Sequence, residues 1–379
     1  MEMTPDYRPR MFRSAFALAA LLVAAWICVG PSSRTRAQSV TDRIVSEHVR
    51  VSLPTEREWL GRDVVMELER CWRYTNAATG EKLPRRIVVD VNWDTAMIKA
   101  TQEGWIQIGM KTPAASFDEK SFLLRAAARQ IARLGLLNLT RGTALREESE
   151  FLVEGMSEIV AREYFRTSRG LAGAWVHAQM LDRMGQLGVV AQGSWSGFSG
   201  GRHDLREASP GITFILTCRE LYGRERTMKM FDALQRGSLS EGIVEAFRTT
   251  PAALEAAWLR RVRSATISDS VPSSPDEEPP KLDRAACVIV ADAEASRLQL
   301  RLFVLKGVSA LLPQGIYLTD DASGRVYLAR QPAGRDATYF PIDVPIDPAK
   351  RSDPFNYRVL AVDEAGSVSI WQGSCTPTQ

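Results

Sequence analysis

The sequence predicts an α+β protein: a small mixed sheet layer with a helix, an all-helical stretch, and a C-terminal β-sandwich. Three observations predict it. Val- and Ile-rich runs alternate with an amphipathic segment over residues 44–110, capped helical patterns fill 116–264, and seven short apolar runs separated by Gly, Pro and Asp occupy 285–379.

Arg8, Arg10 and Arg13 precede an uncharged apolar run over 14–30, and Thr35-Arg36-Ala37 offers small residues at −3 and −1 of a cut before Gln38. Residues 1–37 are therefore expected to be a signal peptide. The alternative is an uncleaved membrane anchor, because the run is long enough for a tilted span and Arg34 and Arg36 sit just before the cut. The expected location is periplasmic, cell-envelope or extracellular, with membrane contact only through an uncleaved leader.

The 379-residue chain has 48 Lys and Arg against 45 Asp and Glu, and five of those Arg and two of those acids lie in 1–37. The remainder carries both signs in equal number, so nucleic acid is not an expected partner. Export implies an oxidising compartment for Cys71, Cys218, Cys287 and Cys375. Four cysteines allow three pairings, and domain membership favours Cys71 with Cys218 and Cys287 with Cys375. The start of a first strand and the end of a last one usually lie at opposite poles of a sandwich, which counts against the second pair.

Strands are expected over 44–53 and 86–92, with a helix from Glu56 to Tyr74 whose Trp59, Leu60, Val64, Met66, Leu68 and Trp72 form the apolar side. "GWIQIGM" (104–110) alternates as a further strand. Helices follow at 116–137, 149–166, 171–187, 210–222, 224–236, 239–248 and 251–264. Their starts are marked by capping boxes at Ser116–Glu119 and Ser238–Glu241 and by Thr250-Pro251. Residues 265–284 are rich in Pro, Ser and acids and read as a linker. In the sandwich, strands are expected at 287–291, 298–305, 317–319, 326–329, 338–340, 357–362 and 367–371. "FNYRVLAVDEAGSVS" (355–369) resembles the last hairpin of fibronectin type III domains, with Tyr357 placed like a corner tyrosine and Asp363–Gly366 as the turn.

Two helical segments carry the chemistry. "LRAAARQIARL" (124–134) has Arg129, Gln130 and Arg133 at the spacing where two ligands four apart would share a helix face with a base beside the first. "FLVEGMSEIV" (151–160) follows, with Glu154-Gly155 and Ser157-Glu158. By motif order these segments, with "FILTCRELYG" (214–223) and "TPAALEAAWLRRV" (250–262), resemble the peptidase MA-like branch of the gluzincins, the thermolysin-like zinc metallopeptidases, over about residues 44–264. The resemblance implies a zinc site built on HExxH and a downstream Glu at position 154, in a gluzincin-like helical part. Here Arg129 and Arg133 stand at the two His positions and Gln130 at that of the general base. Arg has no free lone pair for zinc, and Gln cannot take a proton from water near neutral pH.

The expectation is accordingly an exported pseudopeptidase, with no catalytic residues, no metal and no cofactor, acting in protein or peptide binding or assembly. The alternative is a hydrolase using a different residue set in the same cleft. An Arg–Glu154 pair is expected to replace the metal. Taken alone, though, "RQIAR" also reads as a surface face opposite the Leu124, Ala127, Ala128, Ile131 and Leu134 stripe. Glu158 is then solvated or paired with an Arg of the neighbouring helix. By the same resemblance, Trp105, Ile106, Gln107 and Ile108 lie on the sheet edge where an extended peptide would pair. His177 reads as a packed helix residue. The Gly-rich stretch 193–204, with Trp195, Phe198 and His203, reads as a surface connection. The paired acids Glu147-Glu148 and 276–278 have no context that would make them a glycosidase pair.

Overall fold

The computed structural model describes residues 40–95, 97–110, 119–142, 149–187, 205–268, 270–273, 278–291, 296–305, 311–330, 339–345 and 353–376. The expected leader, the Ser116 cap, Glu147-Glu148 and the stretch with Trp195, Phe198 and His203 lie outside them. Among the described residues no helix is long and apolar enough to cross a membrane.

The chain is α+β, with an N-terminal sheet, a helical middle and C-terminal sheets. The first sheet has five strands. The strand expected over 44–53 is in fact a hairpin of β1 (Val40–Val45) and β2 (Val49–Pro54), because Ser46–His48 turn back under a clamp from the first helix. Glu69 accepts hydrogen bonds from Ser46 Oγ (2.8 Å), the His48 amide (2.9 Å) and His48 Nδ1 (2.7 Å), and the His48 ring stacks on Trp72 at 3.8 Å. Burial pushes the Glu69 carboxyl up, but the His48 and Ser46 hydrogen bonds outweigh it and bring it down to about 2.

Helix α1 (Glu58–Ala78) lays Leu60, Val64, Leu68 and Trp72 on this sheet. Trp59 and Met66, expected on the same side, are exposed: at 100° per residue they share the outer stripe with Arg62 and Arg73. β3 (Ile87–Asn92) pairs parallel with β2, and β5 (Trp105–Gly109) parallel with β3. The short β4 (Ile98–Ala100) then pairs antiparallel with β5, in the register Ile98 to Ile108 and Ala100 to Ile106. Residues Trp105–Ile108 are therefore an inner strand, and the edge expected there belongs to β4.

Helices α2 (Glu119–Leu139), α3 (Glu150–Tyr164), α4 (Leu171–Arg183), α5 (Leu205–Ala233), α6 (Leu239–Phe247) and α7 (Pro251–Ser264) follow. The helices expected at 210–222 and 224–236 form one run broken in its backbone at Gly223, whose φ of 84° is non-helical. The Ser238 capping box and the Thr250 cap with Pro251 both form. Helix α2 is buried on two sides: Ala127, Ile131 and Leu134 face the sheet, while Ala132, Leu136 and Leu137 join the helical core. The closing-helix Trp258 is fully buried, donating from Nε1 to Thr213 Oγ1 at 3.0 Å and meeting Phe214 edge-on.

The C-terminal region is two antiparallel sheets over one apolar core. β10 (Val326–Leu328), β9 (Leu311–Asp320), β12 (Phe355–Asp363), β13 (Val368–Cys375) and β6 (Ser270–Val271) make the first, and β11 (Tyr339–Pro345), β8 (Ser296–Leu305) and β7 (Lys281–Ala291) the second. The expected linker is thus partly sheet, since Ser270–Val271 pair with β13 and β7 already starts at Lys281. Tyr357 is buried over Gly373, and the residues upstream of it, where a corner tyrosine would find its partner, lie partly outside the described residues. The Asp363–Gly366 turn forms, with Gly366 N donating to Asp363 O at 2.9 Å.

Cys287 and Cys375 are disulfide-bonded, their Cα atoms 6.2 Å apart. The pole argument fails because Cys287 lies well inside β7, against the end of β13. Cys71 and Cys218 are free and buried in different cores, one under the first sheet and the other among the helices, so that pairing is corrected.

The five-stranded sheet buries both faces. Ile316, Leu318, Val359 and Ala361 face the other sheet, whereas Tyr317, Leu360, Val362 and Val368 belong to the helical core. Gly173 of α4 lies against Val362 and Gly366, where a Cβ would collide, and His177 Nδ1 and Tyr317 Oη are 2.6 Å apart.

The bond between Cys287 and Cys375 closes a span of 88 residues. Replacing both with Ser is expected to lower the stability of the C-terminal sheets by about 2–4 kcal/mol. Denaturant unfolding followed by circular dichroism of the parent and variant checks this, and an unchanged midpoint would refute it.

Candidate functional site

Helices α2 and α3 run antiparallel, and their facing sides carry charges four residues apart. On α3 these are Glu150, Glu154 and Glu158; on α2 they are Arg125, Arg129 and Arg133. Four-residue spacing puts each set in a single row, so the rows meet as a ladder. Arg133 Nε donates to Glu154 Oε1 at 2.6 Å, and Arg129 Nη2 donates to Glu154 Oε2 at 2.9 Å. Arg129 Nε also lies 3.6 Å from Glu158 Oε2, and Arg133 Nη2 lies 3.6 Å from Glu150 Oε1. Arg162, one turn beyond Glu158 on α3, closes the row with an Nε bond to Glu158 Oε1 at 2.6 Å.

Both oxygens of Glu154 are therefore held by guanidinium groups, and the surface-face reading of "RQIAR" is excluded: Arg129 is buried and Arg133 half-buried. Burial pushes the Glu158 carboxyl up, but the Arg162 and Arg129 guanidiniums outweigh it and hold it below the usual carboxylate range. The structure thus brings Arg129, Arg133, Glu154 and Glu158 together.

Gln130 is 1% exposed, and neither atom of its side-chain amide finds a hydrogen-bond partner among the described residues. Such an amide costs about 1–3 kcal/mol relative to one that is satisfied. Gly155 owes its place to packing: α3 crosses α5 so closely that a Cβ on Gly155 would run into the backbone of Gly211, and one on Gly211 into the Phe151 carbonyl. A small residue beside Glu154 is thus a condition for the helix crossing, whatever Glu154 does.

The zinc ion implied by the resemblance does not fit here. Both Glu154 oxygens are engaged by cations, and Arg129 and Arg133 present N–H donors where lone pairs would be needed. Among the described residues the one grouping of three potential metal donors is Glu47, His48 and Glu69 in the β1–β2 turn. There Arg73 lies 3.1 Å from Glu69 and 3.0 Å from Glu47, and the His48–Glu69 pair is the clamp already described. His177 is a packed helix residue facing Tyr317.

Two features of the site were missed by sequence reasoning: the third carboxylate, Glu150, and the terminal Arg162. Both follow from four-residue spacing, which the sequence contains. Arg162 Nη1 also donates to the Ala365 carbonyl at 2.5 Å, joining the ladder to the β12–β13 turn. No protein-family model matches this sequence, and no similarity to a curated protein was found.

Replacing Arg129 by Ala leaves Glu154 and Glu158 short of a buried partner and is expected to cost about 3–5 kcal/mol. Chemical denaturation tests this, and a loss under about 1 kcal/mol would mean the ladder is solvated.

Because the Glu158 carboxyl is depressed in the folded chain, its contribution to stability is present above its unfolded value. That contribution fades as the pH falls through the folded one. Glu158→Gln should therefore flatten the acid limb of a stability–pH curve below about pH 4.5 while lowering stability at neutral pH. Parallel acid limbs for variant and parent would contradict the assignment.

Proposed function

We propose that this chain is an exported, catalytically inert peptidase-like protein whose work is to bind a protein or peptide partner. The observation that carries the reading is the double capture of Glu154 by Arg129 and Arg133. These are the three positions where the sequence resemblance implies two metal ligands and a third, and here they neutralise one another without an ion. The neighbouring position, where that resemblance implies a general base, holds Gln130, whose neutral amide cannot accept a proton from water.

Binding needs none of the lost groups. The sheet ends in β4, whose pairing with β5 runs through Met97 and Thr101, as in Gly109 N to Met97 O at 2.7 Å and Thr101 N to Trp105 O at 2.8 Å. In an antiparallel ladder the neighbouring Ala100 directs its N–H and C=O groups away from β5. β4 is the last strand in this sheet among the described residues, and an extended peptide adding a strand beside Ala100 is the binding mode this reading favours.

The purified chain is expected to bind extended peptides in fluorescence anisotropy, to show no chelator-sensitive cleavage of them, and to hold no stoichiometric zinc. Ala100→Pro removes one outward N–H without touching the β4–β5 bonds, and it should weaken peptide binding about tenfold with an unchanged Tm. Stoichiometric zinc together with chelator-sensitive cleavage would overturn the proposal, as would peptide affinity indifferent to Ala100→Pro.

A further inference from the structure

The outer face of the three-stranded sheet has a charge pattern unlike the rest of the chain. β8 alternates without a break: Leu298, Leu300, Leu302 and Val304 are buried, while Arg297, Gln299, Arg301 and Phe303 look outward. The register sets Arg284, Phe303 and Tyr339 side by side in one row and Arg301 in the next, with Gln299 opposite Asp343 in the one after. Rows on one face of a strand are about 7 Å apart, and three strands make a strip about 10 Å wide.

Its side chains are fixed by one another. Gln299 Nε2 donates to Asp343 Oδ1 at 3.1 Å, and Arg301 Nε donates to Gln299 Oε1 at 2.9 Å. Arg330 and Arg297 reach the other Asp343 oxygen, at 2.5 and 3.7 Å. Arg284 lies over the Phe303 ring at 4.1 Å, and Phe303 in turn meets Tyr339 with ring centroids 5.3 Å apart. Two guanidiniums, Arg297 and Arg330, thus meet the carboxylate of Asp343, and two more, Arg301 and Arg284, stand in the next rows of the same face, with Asp283 at the margin and the Lys281–Glu278 pair cancelling itself. Arg301 is tethered through Nε alone and Arg284 through its flat face, so among the described residues the terminal N–H donors of both have no partner.

We propose that this face binds an acidic polysaccharide. Positioned guanidiniums present planar forks that match carboxylate groups, and holding them in place beforehand removes much of the entropy cost of binding. The shallow, straight strip suits a linear chain lying along it. The Phe303–Tyr339 end adds an apolar surface against which a sugar ring can rest. Residues 38–379 carry equal numbers of positive and negative side chains, so the local excess is a property of this face and not of general basicity. Apart from Leu305 the strip offers no exposed aliphatic side chain of β8 to insert into a bilayer, which favours a glycan over a lipid surface.

Affinity electrophoresis of the purified chain through gels containing polygalacturonate tests this, with neutral dextran and poly-glutamate in parallel lanes. Retardation by polygalacturonate alone is expected, reduced by added salt. It should fall about tenfold or more in the R284E/R301E variant, whose fold is checked by circular dichroism and Tm. Three results would overturn the proposal: no retardation at low salt, equal retardation of a folded R284E/R301E variant, or retardation by poly-glutamate as strong as by polygalacturonate.

Discussion

Glu154 and Glu158 are taken out of water along the line where α2 meets α3, and that is tolerable only because guanidiniums meet them there. Two unpaired carboxylates in that position would each lose several kcal/mol of hydration with nothing in return. The ladder solves this by alternation. Arg133 stands between Glu150 and Glu154, Arg129 between Glu154 and Glu158, and Arg162 ends the row, so that three positive and three negative groups share short contacts over about three helical turns. A buried pair is rarely more stable than apolar residues of the same size, but it is far less tolerant of slippage. Moving α3 by one residue would set every carboxylate out of reach, so the ladder fixes the register of the two helices where leucines would not.

Other parts of the fold depend on that register. Gly155 must face Gly211 for α3 and α5 to cross, and Arg162 must reach the Ala365 carbonyl for the β12–β13 turn to seat against Gly170 and Gly173. The C-terminal sheets are therefore not a bead on a tether. Tyr317, Leu360, Val362 and Val368 complete the helical core from outside, giving the five-stranded sheet two buried faces. A sheet of this kind reads as nearly continuous apolar sequence, and "YRVLAVD" in β12 does so.

Legibility in the sequence followed the strength of local signals. Capped helices such as α6 and α7 and the alternating β8 were readable because cap residues and period-two patterns are local. The Arg129, Arg133 and Glu154 meeting was readable too, but only from the order of two motifs, since by periodicity alone Arg129 belonged to a solvated face. What was missed lacks a local signature. β4 is three residues long and is recruited by β5, and the Ser46–His48 turn exists because Glu69, 23 residues away from Ser46, collects its donors. Trp59 and Met66 were assigned to the core by their hydrophobicity, yet the helix turns them outward. Cys71 and Cys218 shared a domain by sequence and are nevertheless separated by α2, which divides that domain into two cores.

The chemistry of the α2–α3 seam also bears on how a partner could be held. A metal ion gathers its ligands at one point and leaves a position open for a reacting group, so structure and reactivity come together. An arginine ladder spreads the same neutralisation along two helices and provides no open coordination position on a metal. It cannot polarise a carbonyl as a Lewis acid would, but it needs no ion to hold its shape and so keeps α2 in place beneath β4 and β5 whatever the metal supply. The sheet edge above it is thereby presented on a rigid support. Rigid presentation lowers the entropy cost of adding a strand, whether or not chemistry follows.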